Sequence, residues 1–464
     1  MYSLACVRMK KMNKRGKKVV WILLVPALLL VPVSGIETTV VNEIPIFEET
    51  NTVASAHLNG GWLEERNGVK IMHLNGSYYD MGYQHGDLLS DEIREVMRAQ
   101  LVVFEDYGYP YERLVEIWGI MEDYLPHEYK EEMQGMADGA GMSFEEVAVL
   151  SMMTAVFNHL FEDSCCEVSL WGDATADGKL LHVRSWDWNL NISDPETGTR
   201  LQENVVLIVR TPKVGYASVT PDFAGAISVW HGINEKGIVV GENTCITLDT
   251  TFHGISPCFR MRMVIDRCDT GQGALDILTS NRTCGTNFVL SDANVPVGYA
   301  LDQTANFSYV GTWDNPIEGT DPFWQIEDVV RRTPTYIDPA CAAVQYGRIR
   351  YDPSGLRGIL DAALGRSAMV FPWIHYRALS LQIEKYYGTL DVNTTMAALR
   401  EEYTGESDFW MSLALLFAYW CLYQWVVCPE TGDMVISFAS SDTRACYEPV
   451  HYFNIFELMD AEPP

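Results

Sequence analysis

The chain has 464 residues, of which 48% are hydrophobic and 20% are charged, so it is long enough to bury a large core and too apolar to be globally disordered. Its formal net charge is −29, and a surface this acidic repels phosphate backbones, which argues against nucleic acid as a partner. The charge by itself names no substrate.

The first 35 residues are typical of an export signal. They contain seven Lys and Arg residues and no acidic residue, and an apolar run over residues 19–33 follows the basic stretch. This run is shorter than the ~20 residues that a spanning helix needs. We expect either a cleaved signal peptide or a membrane tether by residues 19–33, and an extracytoplasmic protein in both cases. Residues 36–59 are aperiodic and rich in Thr, which predicts a flexible linker.

Residues 60–164 are predicted to form a largely helical pro-segment. A short strand is expected first, over residues 68–74. Apolar residues at helical spacing then predict helices over residues 87–104, 111–125 and 129–140. Ser143 and Glu146 have the spacing of a capping box, which predicts another helix that ends near Leu160.

The pattern changes to short strands at Cys165, which begins a second segment, residues 165–464. Strands are predicted over residues 165–171, 179–185, 205–211, 226–230, 238–242, 288–291, 299–301, 422–427 and 434–438. Helices are predicted over residues 256–268, 271–280, 374–387 and 392–403. Hairpin turns imply antiparallel sheets and separate helical runs imply outer layers, so the fold class is α+β.

Five motifs in chain order resemble one family of enzymes. In the central motif, Cys165 opens a strand, Asp177-Gly178-Lys179 forms a turn, and the return strand ends in Arg184-Ser185-Trp186-Asp187. The others are Glu132 to Gly141, Gly232 to Thr244, Thr286 to Asp292 and, most weakly, Tyr376-Arg377. This set resembles the isopenicillin N acyltransferase-like family of cysteine N-terminal-nucleophile (Ntn) hydrolases, with bile-salt hydrolases and penicillin V acylases as more distant relatives. The resemblance implies a four-layer αββα sandwich of two antiparallel sheets flanked by helices, without a metal or cofactor.

The resemblance also implies a self-cleaving enzyme. The thiol of Cys165 would attack the carbonyl group of Ser164, and the chain would split there into α and β chains that remain associated. Cys165 would then carry a free α-amino group, whose ordinary pKa of about 7.7–8.0 suits a general base. The implied substrate is a small N-acyl compound, cleaved at its amide C–N bond. Hydrolysis and acyl transfer both stay open.

Four further residues receive roles from the resemblance. Asp187 would orient the new ammonium group, and Arg184 would stabilise the thiolate or bind a substrate carboxyl group. Asn243 would donate a hydrogen bond to the oxyanion, although a strand-end amide that caps a turn is an equal alternative. Arg377 is a weaker candidate for substrate binding, and a structural role is favoured for it.

The sequence also departs from the family. Ser164 replaces the usual Gly, and Cys166 and Glu167 replace small residues; Cys166 is thus an alternative nucleophile, although the spacing from Cys165 to Trp171 fits the family better. Three other functions stay open: a papain-like thiol protease that uses Cys165 with a distant His, a phospholipase B-like ester hydrolase, and a catalytically silent exported binding protein. Disulfide pairing and oligomeric state are not determined by the sequence.

Overall fold

A computed structural model describes residues 46–47, 52–58, 60–160, 165–345, 370–404 and 421–463. The predicted signal, residues 1–35, lies outside these ranges, as does Ser164. Within the described ranges, each helix falls short of the length and apolarity that a bilayer crossing requires.

Seventeen strands lie in the described ranges and form two sheets. In chain order they are β1 (Ile46–Phe47), β2 (Thr52–Leu58), β3 (Gly61–Arg66), β4 (Val69–Gly76), β5 (Cys166–Gly172), β6 (Gly178–Trp186), β7 (Val205–Pro212), β8 (Ser218–Phe223), β9 (His231–Asn234), β10 (Ile238–Thr244), β11 (Thr286–Asp292), β12 (Val297–Gln303), β13 (Ser308–Gly311), β14 (Val329–Arg332), β15 (Tyr423–Val427), β16 (Asp433–Phe438) and β17 (Val450–Asn454).

Eleven α-helices lie in the same ranges, together with three short 3₁₀ turns. They are α1 (Tyr78–Leu88), α2 (Ser90–Asp106), α3 (Tyr111–Met121), α4 (His127–Ala140), α5 (Phe144–Leu160), α6 (Pro257–Arg267), α7 (Gly271–Leu278), α8 (Pro339–Val344), α9 (Val370–Tyr386), α10 (Val392–Thr404) and α11 (Ile455–Met459). The predicted capping box is confirmed: the Ser143 hydroxyl accepts from the Glu146 amide, and the Glu146 carboxylate accepts from the Ser143 amide at 2.7 Å.

The two sheets are almost entirely antiparallel. The seven-stranded sheet has the order β1-β17-β16-β15-β6-β5-β14, and the ten-stranded sheet has the order β13-β12-β11-β10-β9-β8-β7-β4-β3-β2. Among the described strands, the parallel pairs are β1 with β17 and β4 with β7. The β4–β7 pair joins the strands of the predicted pro-segment to those of the second segment.

Four layers follow from the packing. Strands β5 and β14 pack face to face on β10, β11 and β12, which brings the two sheets together. Helices α6 and α7 cover the outer face of β9 to β11, and α10 covers the outer face of β15 and β16. The predicted α+β class and αββα arrangement are therefore confirmed by the order of helix, sheet, sheet and helix.

Two predictions of local structure are wrong, and one strand has no counterpart among the predicted elements. The predicted linker, residues 36–59, contains β2 at the edge of the ten-stranded sheet, where main-chain pairing with β3 needs no strong apolar pattern. The strand without a counterpart is β3, in the segment predicted to be largely helical. Residues 226–230, predicted as a strand, follow a turn at Gly225, where φ is +90°, and form a buried loop. Trp230 in this loop is buried because it packs on Phe157 and Trp186, and this burial accounts for the apolar pattern that predicts a strand.

Candidate active site

Cys165 lies directly before β5, where the seven-stranded sheet begins its central hairpin. Strand β5 pairs with β6 so that Cys166 lies opposite Ser185, and the chain leaves β6 at Asp187. The Cys165 Sγ atom accepts from the Asp187 backbone amide at 3.3 Å and from Arg184 Nη2 at 3.4 Å. The hairpin register therefore brings together the predicted nucleophile, arginine and aspartate.

Arg184 is fully buried between the two sheets rather than in a surface ion pair. Its guanidinium lies 3.2 Å from the carboxylate of Glu167 and donates to the backbone carbonyl of Glu242. It also donates to Asn243 Oδ1 at 3.4 Å. Its several donors thus connect the thiol of Cys165 with strand β10 of the other sheet, as the forked shape of a guanidinium allows.

Glu167, one of the departures from the family, lies beneath this arginine. It is fully buried, and burial raises the pKa of its carboxyl group to about 8, against the opposing effect of Arg184. A carboxyl group with such a pKa is largely protonated at neutral pH. The positive charge of Arg184 thus remains available to the thiol of Cys165.

Asn243 presents an unused donor in the same region. It lies on β10, its side-chain oxygen accepts from Arg184, and its Nδ2 group has no hydrogen-bond partner among the described residues. A buried amide donor without an acceptor costs free energy. Such a group is suited to an oxyanion that forms only during the reaction.

Asp187 is held by two hydroxyl groups. Ser185 Oγ donates to Oδ1 at 3.3 Å, and the Tyr403 hydroxyl, from α10, donates to Oδ2 at 2.9 Å. Burial raises the pKa of Asp187 to about 6, and the hydrogen bond from Tyr403 opposes that rise. Sequence reasoning missed Tyr403, because no local spacing links α10 to residue 187.

The two adjacent cysteines have different surroundings. Successive side chains of a strand point to opposite faces, and Cys165 and Glu167 contact Arg184 between the sheets. Cys166 instead faces the helical layer, where its Sγ atom, His375 and Glu402 bring ligand atoms within 4.8 Å of one another. The structure thus places His375 beside Cys166.

Arg377 is half-buried on α9, two positions after His375. Its substrate-binding role stays a prediction. No disulfide joins any two of the ten described cysteines.

The other family motifs form the scaffold. The side chain of Asn234 holds the β9–β10 turn by accepting from the amides of Lys236 and Ile238 at 3.1 Å. Asn287 donates to the backbone carbonyls of Thr333 and Thr335. Asp292 accepts from the first amide of α7.

Trp188, the residue that follows Asp187 in the chain, lines a mostly apolar cavity. Trp188 lines it with Phe157, Phe223 and Trp230, and Leu150 and Met153 of α5 form another wall. One wall of the cavity therefore belongs to the predicted pro-segment.

Comparison with curated proteins identifies relatives of this chain. An uncharacterized protein of Archaeoglobus fulgidus is 27% identical over 235 residues, which cover 44% of this chain and 38% of that protein. Protein dcd1A of Dictyostelium discoideum is 23% identical over 295 residues, covering 62% of this chain and 58% of that protein. A second Dictyostelium protein, dcd1B, is 27% identical over 135 residues. The matches thus span less than two thirds of the length of these relatives.

Solved structures that match this chain include two proteins that are hydrolases by name. The N-acylethanolamine-hydrolyzing acid amidase ortholog of Caenorhabditis elegans is 12% identical, covers 57% of this chain and 93% of that chain, and gives a TM-score of 0.32. A variant of the conjugated bile acid hydrolase from Clostridium perfringens is 13% identical, with coverages of 64% and 95% and a TM-score of 0.39.

The family comparison concerns the central part of the chain. Residues 175–302 match the sequence model of the acyl-coenzyme A:6-aminopenicillanic acid acyl-transferase family. Arg184, Asp187 and Asn243 lie inside this match, and Cys165 lies ten residues before it. Over residues 175–302 the chain is thus similar in sequence to the acyl-coenzyme A:6-aminopenicillanic acid acyl-transferase family, which confirms the resemblance that its motifs indicate.

Proposed function

We propose that this protein is an exported, self-processing cysteine amidohydrolase or acyltransferase that acts on the C–N bond of small N-acyl compounds. The observation that carries the proposal is the position of the Cys165 Sγ atom at the head of β5. It lies 3.3 Å from the Asp187 amide and 3.4 Å from the Arg184 guanidinium. Donors at these distances stabilise a thiolate, which is the reactive form of cysteine.

Maturation begins on the bond between Ser164 and Cys165. The thiol adds to the Ser164 carbonyl carbon, the C–N bond breaks, and the Cys165 nitrogen keeps the thiol proton as a free amine. Water then hydrolyses the thioester, which gives a carboxylate on Ser164 and regenerates the thiol. The attack is intramolecular, so a thiol that is buried in the intact chain suffices for it.

The mature site then has the parts of an acyl-transfer enzyme. The α-amino group of Cys165 accepts the thiol proton and delivers it to the leaving amine. Asp187 balances the charge of the resulting ammonium. The unused Asn243 amide donor stabilises the oxyanion, a contribution of about 2.7–4 kcal/mol where such donors have been removed.

The substrate class is supported by two observations. The family that matches residues 175–302 transfers acyl groups, by its description. Phe157, Phe223 and Trp230 line a small cavity with Trp188, the residue after Asp187, and they would present apolar surface to an acyl group if this cavity opens. An apolar N-acyl group with a small amine is the substrate that suits both.

The location and the fate of the two chains belong to the same proposal. The basic residues and the apolar run before residue 35 support export. Pairing of β4 with β7 and the shared cavity wall support an α chain that remains bound to the β chain after cleavage.

The test is mass spectrometry of the purified wild type beside Cys165→Ala and Cys166→Ala. We expect the wild type and Cys166→Ala to give a β chain that begins at Cys165, and Cys165→Ala to remain intact. Hydrolysis of fluorogenic N-acyl amides of increasing acyl length should follow the same pattern, with Cys165→Ala inactive.

The Cys166→Ala variant is the matched control, because it removes the neighbouring thiol from the opposite face of the strand. An intact wild-type chain overturns self-processing. Cleavage that persists in Cys165→Ala and stops in Cys166→Ala moves the nucleophile to Cys166.

A further inference from the structure

Three side chains with metal-binding atoms meet on the helical side of the seven-stranded sheet. Cys166 is the first residue of β5, His375 lies on α9, and Glu402 lies on α10. All three are buried, with exposed fractions of 0%, 2% and 0%. The cluster lies on the face of β5 opposite to Cys165, so the proposed acyl-transfer chemistry does not use it.

The candidate ligand atoms are close enough to one another to bind a single metal ion. One ligand atom from each of Cys166, His375 and Glu402 lies within 4.8 Å of the other two. His375 Nε2 is 2.9 Å from Glu402 Oε1, and the Tyr403 hydroxyl lies 3.9 Å from Cys166 Sγ. His375 thus interacts with both Cys166 and Glu402.

The donor set favours zinc over other divalent ions. A thiolate, an imidazole and a carboxylate are the ligands that Zn²⁺ takes in proteins, and three protein ligands leave one position of a tetrahedron for water. Mg²⁺ and Ca²⁺ instead prefer oxygen ligands alone. Two positive charges would also balance a buried thiolate and a buried carboxylate, which are otherwise costly side by side.

A second buried cluster shows that suitable ligand types alone do not make a metal site. Glu167, His182 and His231 also bring their ligand atoms within 4.8 Å. The guanidinium of Arg184 lies 3.2 Å from the Glu167 carboxylate, however, and its fixed positive charge opposes a cation there. The charged groups that act on Cys166 and His375 include each other, Glu402 and Asp187.

We propose that Cys166, His375 and Glu402 bind one Zn²⁺ ion. When the metal binds, the thiol of Cys166 and the imidazolium of His375 each release one proton to solvent, so that the sulfur coordinates as thiolate and His375 as neutral imidazole. The ion connects the start of β5 to helices α9 and α10, which are far apart in sequence. The zinc site therefore links the helical layer to β5 on the face of the strand away from Cys165.

The experiment uses the full chain, loaded with Zn²⁺, dialysed, and analysed by inductively coupled plasma mass spectrometry. We expect one zinc per chain in the wild type and in the thiol controls Cys165→Ala and Cys268→Ala. Cys166→Ala and His375→Ala should lose it, with folding checked by circular dichroism. Replacement by Co²⁺ should give a thiolate-to-cobalt charge-transfer absorption in the wild type, and the thermal midpoint should rise with Zn²⁺ but not with Mg²⁺.

A wild type that retains no zinc after dialysis overturns the proposal, as does zinc that persists in a folded Cys166→Ala variant. If both ligand variants fail to fold, the wild-type cobalt spectrum decides, and absence of the thiolate band overturns the site. Since Cys165→Ala should keep its zinc, failure of this proposal is distinguishable from failure of the proposed acyl-transfer function.

Discussion

At the scale of single residues, neighbouring side chains with identical chemistry have different environments. Cys165 contacts Arg184 between the sheets, whereas Cys166 faces His375 and Glu402 in the helical layer. The alternation of a strand produces this division. It also explains why the nucleophile cannot be chosen from the spacing to Trp171 alone: the contacts of each sulfur atom are needed as well.

A buried carboxyl group should make the stability of the protein depend on pH. Burial raises the pKa of Asp222 from 3.8 to about 7, and its Oδ2 atom has no hydrogen-bond partner among the described residues. The folded state thus binds the proton more tightly than the unfolded state does. The contribution of Asp222 to the free energy of unfolding is full below pH 4 and is lost as the pH rises through 7, on the order of 4 kcal/mol in all.

Replacing Asp222 by Asn should remove this dependence, because the amide stays neutral. We expect Asp222→Asn to have a higher thermal midpoint than the wild type at pH 8 and a similar one at pH 4, measured by calorimetry. Asp106→Asn, at an exposed position on α2, is the control and should follow the wild-type curve at both pH values. Equal wild-type and Asp222→Asn midpoints at pH 8 would contradict the argument.

At the scale of elements, the glycines of the Glu132 motif allow two helices to cross at close range. A Cβ atom added at Gly135 or Gly139 of α4 would overlap the carbonyl oxygen of Tyr79 or Tyr83 on α1. Gly82 and Gly86 of α1 meet the α4 backbone in the same way. The resemblance assigned this motif to the pro-segment, and the helix crossing gives the physical reason for its glycines.

Gly135→Ala should therefore destabilise the protein, since the backbone atoms that it meets cannot move independently of their helices. We expect a loss of at least the ~1–3 kcal/mol that is typical of overpacking, measured by urea denaturation. Gly119→Ala is the matched control: this glycine lies inside α3, with no atom within 4 Å of the added Cβ. It should stabilise the protein by up to ~1 kcal/mol, as replacing Gly by Ala in a helix does. Equal effects at the two positions would refute the close crossing.

At the scale of the whole molecule, the predicted α and β chains share a buried network of charges. Glu132 of α4 lies 2.9 Å from the guanidinium of Arg262 on α6 and 3.7 Å from that of Arg210 on β7. Arg262 also pairs with Asp266, which accepts hydrogen bonds from the hydroxyl groups of Tyr78 and Tyr129. With the β4–β7 pair, this network crosses the predicted division of the chain at several places.

Glu132→Ala should weaken the whole assembly, because it leaves two buried guanidinium groups short of a partner. Breaking a buried pair in this way costs about 3–5 kcal/mol, measurable as a lower urea midpoint. Glu128→Ala is the matched control on the same helix. Its pair with Arg267 is partly exposed, and such pairs contribute ~0–1 kcal/mol. If the two variants lose similar stability, the network does not hold the segments together.

Much of the architecture could be predicted from the sequence. Apolar residues that recur every two or nearly four positions predicted most of the strands and helices, and the capping box at Ser143 predicted the start of α5. The edge strand β2 and its neighbour β3 were harder to predict, because their main-chain pairing leaves a weak side-chain pattern. The loop at residues 226–230 was taken for a strand because aromatic packing, like a sheet, buries apolar residues.

The sequence by itself determined the fold class, the family resemblance and the choice of Cys165, Arg184, Asp187 and Asn243 as candidates, since these depend on local pattern and motif order. Only the tertiary structure decided which partners surround them. Tyr403 reaches Asp187, and His375 and Glu402 reach Cys166, across more than 200 residues of chain. Side chains that far apart leave no shared periodicity, because their proximity arises only when α9 and α10 pack against the seven-stranded sheet.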